Sequence, residues 1–119
     1  MKFSIVVAIT PEELEQHAIE AAHQAGAAGI TLLNGRGIGA KTKKTFFGMT
    51  FEGSQSVLLM VVAKSLAEPV LNAMHNLLVT DGDSRGLAFS LPIEHLTGID
   101  LSQLEQFEQR LVQNKDTNS

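Results

Sequence analysis

The chain of 119 residues contains no cysteine. That absence excludes disulfides, thiolate catalysis and thiolate zinc sites, and it fits a reducing compartment. Long apolar runs are missing too, so no segment is expected to span a bilayer. The N-terminal FSIVVAI is short, meets Pro11 and acidic residues at once, and lacks a small-residue cleavage pattern. It reads as a strand rather than a targeting segment, with the cytoplasm as the expected location. There is no excess of positive charge either. A net charge of -4 argues against nucleic acid as a wholesale partner. Internal repeats and low-complexity stretches are absent.

What is present suits one globular domain. Hydrophobic residues make up 44% and charged residues 18%, a balance that buries a core rather than leaving the chain disordered. The domain is expected over residues 1–113, with 114–119 a frayed polar tail.

Residues 2–9 are rich in β-branched types and read as a buried strand. Thr10 as cap, Pro11 as first helical residue and Glu13 reaching back mark a helix start. Leu14, Ala18, Ala21, Ala22 and Ala25 share one helical face, and Gly26 stops the helix. A second strand covers about Gly29 to Asn34. FGMTFEGSQSVLLMVV reads as a hairpin, extended over Phe47–Glu52 and again over Ser56–Val62. A second helix starts between Ser65 and Pro69, with Val70, Leu71, Met74, Leu77 and Leu78 inward. The turn DGDSRG leads to a last strand, Leu87–Leu91. Asp100 caps a short C-terminal helix carrying Leu101, Leu104, Phe107 and Leu111 on one side.

The order β-α-β-β-α-β defines an α+β, ferredoxin-like fold with an antiparallel sheet. Two helices cover one sheet face. Strands such as VLLMVV are apolar on both sides, so the other face needs a cover, and oligomerisation is the simplest.

The stretch GITLLNGRGIG carries the most chemistry. A strand runs into a turn with glycines at 35, 37 and 39, which lets the backbone approach a ligand closely. Arg36 and the following AKTKK can attract an anion. Plainer readings stand beside these: a tight turn at a strand end and a solvated basic loop. DGDSRG holds only part of a calcium-loop pattern and reads as a turn. His17 and His23 are six residues apart and do not form a metal pair. Ser54, Ser56 and Ser84 have no adjacent base, so nucleophilic catalysis lacks support.

Three segments in this order resemble the P-II family of signalling proteins, in a divergent P-II-like branch: AGAAGITLLNGRGIG, the segment ending in VLLMVV, and RGLAFSLPIEHLTGI. The resemblance covers roughly residues 2–100. It implies a homotrimer, a loop after the second strand that contacts target proteins, and ligand clefts between subunits near that loop's base. It also implies a non-enzymatic regulator that senses nucleotides and docks on transporters, enzymes or regulators. Thr31, Gly37, Ile38 and Gly39 fall where the family lines its nucleotide cleft, and Gly86 matches a glycine of the second turn. Gly35, Arg36 and Arg85 complete the candidate ligand site. Lys41, Lys43, Lys44 and Phe46 are the candidate partner contacts in a loop over residues 36–46.

Departures from the family pattern are specific. Leu87 stands where members place a lysine, Gly98 and Asp100 stand where two arginines hold phosphates, and Lys41 replaces a glutamine. With no tyrosine, the loop tyrosine modified by uridylylation is excluded. Loss of three charge-assisted contacts, at roughly 1.5–3 kcal/mol each, disfavours ATP in the usual manner. An adenine nucleotide with fewer phosphates, or another small anion, fits better. No other cofactor and no metal are expected. Two further readings compete: a ligand-independent oligomeric module docking on a transporter or other partner, and a small enzyme acting on a phosphorylated metabolite.

Overall fold

A computed structural model describes residues 2–36, 45–46, 49–50 and 53–98, the short segments 45–46 and 49–50 by their backbone alone. Strand β1 spans Phe3–Pro11, helix α1 Glu15–Ala25, strand β2 Thr31–Arg36, strand β3 Ser54–Ala63, helix α2 Lys64–Leu78 and strand β4 Leu87–Ile93. The four strands form one antiparallel sheet in the order β2-β3-β1-β4. This is the ferredoxin-like βαββαβ arrangement expected from the element order.

Alternation along each strand separates two faces. Val6 and Ala8 of β1, with Leu58, Met60 and Val62 of β3, are buried against the helices. Ala18 and Ala22 of α1 and Val70, Met74 and Leu78 of α2 close that core. The alanines of α1 let it lie close to its neighbours. The opposite face carries Ile5, Val7, Ile9, Leu33, Val57, Leu59, Val61, Phe89 and Leu91, paired row by row across the strands. Nothing described covers it. Leu33 is 50% exposed and Leu91 54%.

Several local expectations are corrected. Thr10 does not cap α1. Strand β1 continues through Pro11, and a 3-10 turn over Glu12–Leu14 intervenes before α1. The reason is register: Thr10 pairs with Ser56 in the ladder, is buried on the helix side, and donates its hydroxyl to the Pro11 carbonyl at 3.2 Å. Glu13 therefore points elsewhere. The stop at Gly26 holds, in a left-handed conformation that accepts no β-carbon easily. Strand β2 runs two residues later than expected. Helix α2 begins at Lys64, directly after β3 and just ahead of the expected start, with Ala63 at its cap. Pro69 lies inside its second turn.

The expected hairpin is also different. Strand β3 is present, but both its edges are taken, by β1 and β2. Met49–Thr50 pairs instead with Thr45–Phe46 in a separate ribbon. Strand β4 extends to Ile93 and holds Pro92, tolerated because β4 is an edge strand. The expected C-terminal helix from Asp100 and the 114–119 tail lie outside the described residues.

Between α2 and β4, Val79–Thr80 pairs with Asp83–Ser84 around Asp81 and Gly82, both at positive φ. That is the signature of a two-residue type I′ turn, for which Asp-Gly is well suited. Gly86 then packs so tightly that a β-carbon would collide with the Ile9 carbonyl oxygen and press on Leu78 Cδ2 at 2.9 Å. The backbone atom cannot move aside. Gly86→Ala is expected to destabilise the protein by about 1–3 kcal/mol, the usual cost of overpacking, measured as a lower urea midpoint with unchanged slope.

Candidate ligand site at the loop base

The register brings four chain ends to one end of the sheet. Arg36 stands opposite Ser54, Gln55 opposite Pro11, and Ile9 opposite Leu87. The segment from Gly37 to Gly53 therefore leaves and re-enters the sheet beside the end of β1 and the start of β4. The close approach of Gly86 to Ile9 holds the second turn there. Within it, the Arg85 amide donates to the Leu78 carbonyl at 2.8 Å, and the Ser84 hydroxyl to the Gly86 carbonyl at 3.0 Å. The Met49–Thr50 strand lies beside Asp83–Ser84. Loop and turn thus meet within one subunit.

Arg85 Nη2 forms an ion pair with Glu13 Oε1. Glu15 Oε1 accepts a hydrogen bond from the Ser56 hydroxyl at 2.9 Å, tying the start of α1 to β3. Arg36 is exposed at the end of β2. No group of three potential metal ligands occurs among the described residues.

The candidate residues are not all brought together. Gly35, Arg36, Arg85 and Gly86 share the loop-base end. Gly86 has a packing reason of its own, as shown above. Thr31 is at the other end of β2, opposite Leu59, about 16 Å along the strand from Arg36 at 3.3 Å per residue. Gly37, Ile38, Gly39, Lys41, Lys43 and Lys44 lie outside the described residues. Phe46 belongs to the short ribbon, but its side chain is outside them too. Sequence reading missed Glu13 and Glu15. Glu13 was read as a helix-start residue, and the contacts that join Glu13 to Arg85 and Glu15 to Ser56 span 72 and 41 positions of sequence.

A model of the family described as nitrogen regulatory protein P-II matches residues 3–101. The chain belongs to the P-II family. Solved structures agree with the fold. A PII-like signalling protein from Thermus thermophilus aligns with a TM-score of 0.59 and 18% identity, covering 78% of this chain and 87% of that one. Arabidopsis thaliana PII bound to citrate gives 0.60 and 27%, covering 77% and 78%. The B. subtilis GlnK–ATP complex gives 0.58 and 17%, covering 78% and 85%. Comparison with curated protein sequences gives no match.

The Arg85 and Glu13 side chains are 43% and 69% exposed, so water screens their attraction. A double-mutant cycle with Glu13→Gln and Arg85→Gln is expected to give a coupling of about 0–1 kcal/mol that shrinks in high salt.

Proposed function

We propose that this P-II family member is a non-enzymatic signal-transduction protein of the cytoplasm, in the nitrogen-regulatory tradition of its family. It assembles as a homotrimer, binds a small anionic ligand in clefts at the loop base, and regulates a protein target through the loop over residues 36–46. The observation that carries this is the meeting of the loop base with the 81–86 turn at one end of a sheet whose other face is largely apolar and covered by no described residue. In this reading residues 1–113 are the whole domain and 114–119 a polar tail. Lys41, Lys43, Lys44 and Phe46 face the target, a transporter being one candidate.

The charge balance narrows the ligand. Relatives bind citrate and ATP, both multiply charged. Here Arg85 is engaged by Glu13, and Leu87 supplies no cation. ATP is therefore a poor fit, and an adenine nucleotide with fewer phosphates or a small carboxylate a better one. Gly35, Gly37 and Gly39 offer backbone amides, Arg36 an exposed cation, and Thr31 and Ile38 a wall. Ligand binding orders the loop, a recurrent switching device. The competing reading, a ligand-independent docking module, rests on the same apolar face.

Two experiments test this. Sedimentation at micromolar concentration should show a trimer, and Leu91→Asp should yield folded monomer. A monomeric parent would remove the trimer. Titration calorimetry with ATP, ADP, AMP, citrate and phosphate should find one binder other than ATP. Arg36→Ala should weaken it ten- to a hundredfold, about 1.5–3 kcal/mol, whereas Glu13→Ala should strengthen it by freeing Arg85. A blank panel would favour the docking module.

A further inference from the structure

The turn between α2 and β4 holds two adjacent residues that can react with each other. Asp81 and Gly82 are both exposed. The Asp81 carboxylate has no hydrogen-bond or ion-pair partner among the described residues. A β-carbon added to Gly82 would meet nothing within 4 Å, so no described residue crowds the tip. The flanking residues, Thr80 and Asp83, make the ladder pair. The peptide between Asp81 and Gly82 is left out of it.

The backbone is already set for ring closure. Asp81 has φ 53° and Gly82 φ 83°. Type I′ and type II′ turns share a φ of about +60° at the first central residue and differ by a flip of the central peptide. The flip takes ψ of Asp81 to about −120° and φ of Gly82 to about −80°, which glycine accepts. At that ψ the Gly82 nitrogen eclipses the Asp81 β-carbon, within reach of the carboxyl carbon. A five-membered succinimide ring imposes the same torsion.

Asn34–Gly35 is the only other asparagine-glycine or aspartate-glycine step in the chain. In a free peptide the asparagine step is the more reactive of the two. Here the ladder holds it. The Lys64 amide donates to the Lys2 carbonyl at 2.9 Å, in the register of β1 with β3. Bonded and unbonded pairs alternate along a ladder, so even-numbered residues of β3 bond to β1 and odd-numbered ones to β2. Gly35 opposite Gln55 is therefore a bonded pair, and its nitrogen is committed.

We propose that Asp81 is a modification site at which the chain converts itself to the β-linked isomer, isoaspartate. The Gly82 nitrogen attacks the side-chain carboxyl carbon of Asp81 in its neutral acid form. A C–N bond forms, a C–O bond breaks, and the amide proton leaves with the hydroxyl as water. Water then opens the ring at the main-chain carbonyl, breaking that C–N bond, and the chain runs on through the side-chain carbonyl. Opening at the other carbonyl restores aspartate. No oxidant or cofactor takes part, and no ligand is needed. The product has one extra backbone carbon between Thr80 and Asp83, which spoils the two-residue fit of the hairpin. Met49–Thr50 lies beside that hairpin, so the change is made next to the loop.

The test holds the full chain for weeks in water enriched in heavy oxygen, either native or in guanidinium. Digestion and electron-transfer fragmentation then distinguish the two linkages. In the native chain, isoaspartate carrying heavy oxygen should accumulate at residue 81 ahead of every other aspartate and asparagine. In guanidinium Asn34 should lead. Gly82→Asn keeps a residue that tolerates positive φ and crowds the reacting nitrogen. It should lower the native rate at least tenfold. Asp81→Asn should raise it, with ammonia leaving in place of water. Absence of isoaspartate at residue 81 in the native chain overturns the proposal. So does a lead for Asn34 in the native chain, or a Gly82→Asn variant that reacts as the parent does. A lead for Asp81 in guanidinium as well would make the order a property of sequence alone and overturn the role of the turn.

Discussion

The pairing of Phe3–Pro11 with Gln55–Ala63 is the constraint on which the other elements depend. It joins the two central strands, separated in sequence by a helix, a strand and the long loop. Because side chains alternate, this single register assigns every residue of β1 and β3 to the helix face or the open face. A slip of one residue would send Val6, Ala8, Leu58 and Met60 into the open and turn Ile5, Val7 and Leu59 toward the helices. The volume match with α1 and α2 resists that. Small Ala8 and large Leu58 sit side by side under helices whose inward residues are also a mixture of small and large.

The same register makes the site. It ends the β1–β3 ladder at Pro11 and Gln55 and the β2–β3 ladder at Arg36 and Ser54, so the loop must spring from a point beside the start of β4. The Gly86 contact with Ile9 then pins the second turn to that point. Two long-range side-chain links, Glu13 to Arg85 and Glu15 to Ser56, fasten the start of α1 over it.

Much of this architecture was legible in the sequence. Periodicity located both helices, and β-branched runs located the four main strands. The order of elements gave the topology, and apolar residues on both strand faces marked a second face that no described residue covers. What failed was local chemistry overridden by pairing. Thr10-Pro11 has the composition of a helix start, but the ladder claims both residues, and the helix waits for Glu15. FGMTFEGSQSVLLMVV looks like a hairpin because its two halves are adjacent, yet β3 finds β1 and β2 as partners, separated from it by larger loops. For the candidate site, the glycine-rich strand end and the second turn were visible. Their mutual contact rests on Gly86, whose close approach no pattern announces. Glu13 and Glu15 were missed because their partners lie 72 and 41 positions along the chain.

The balance of charges at the loop base has an energetic consequence for signalling. A ligand shifts a loop only by the difference in its affinity for the two loop states. In the proposed role, an anion reaching Arg85 must first displace Glu13. That exposed pair is worth at most about 1 kcal/mol, which corresponds to roughly fivefold in affinity. Glu13 is therefore a weak brake, one that a singly charged ligand can overcome with a single good contact at Arg36.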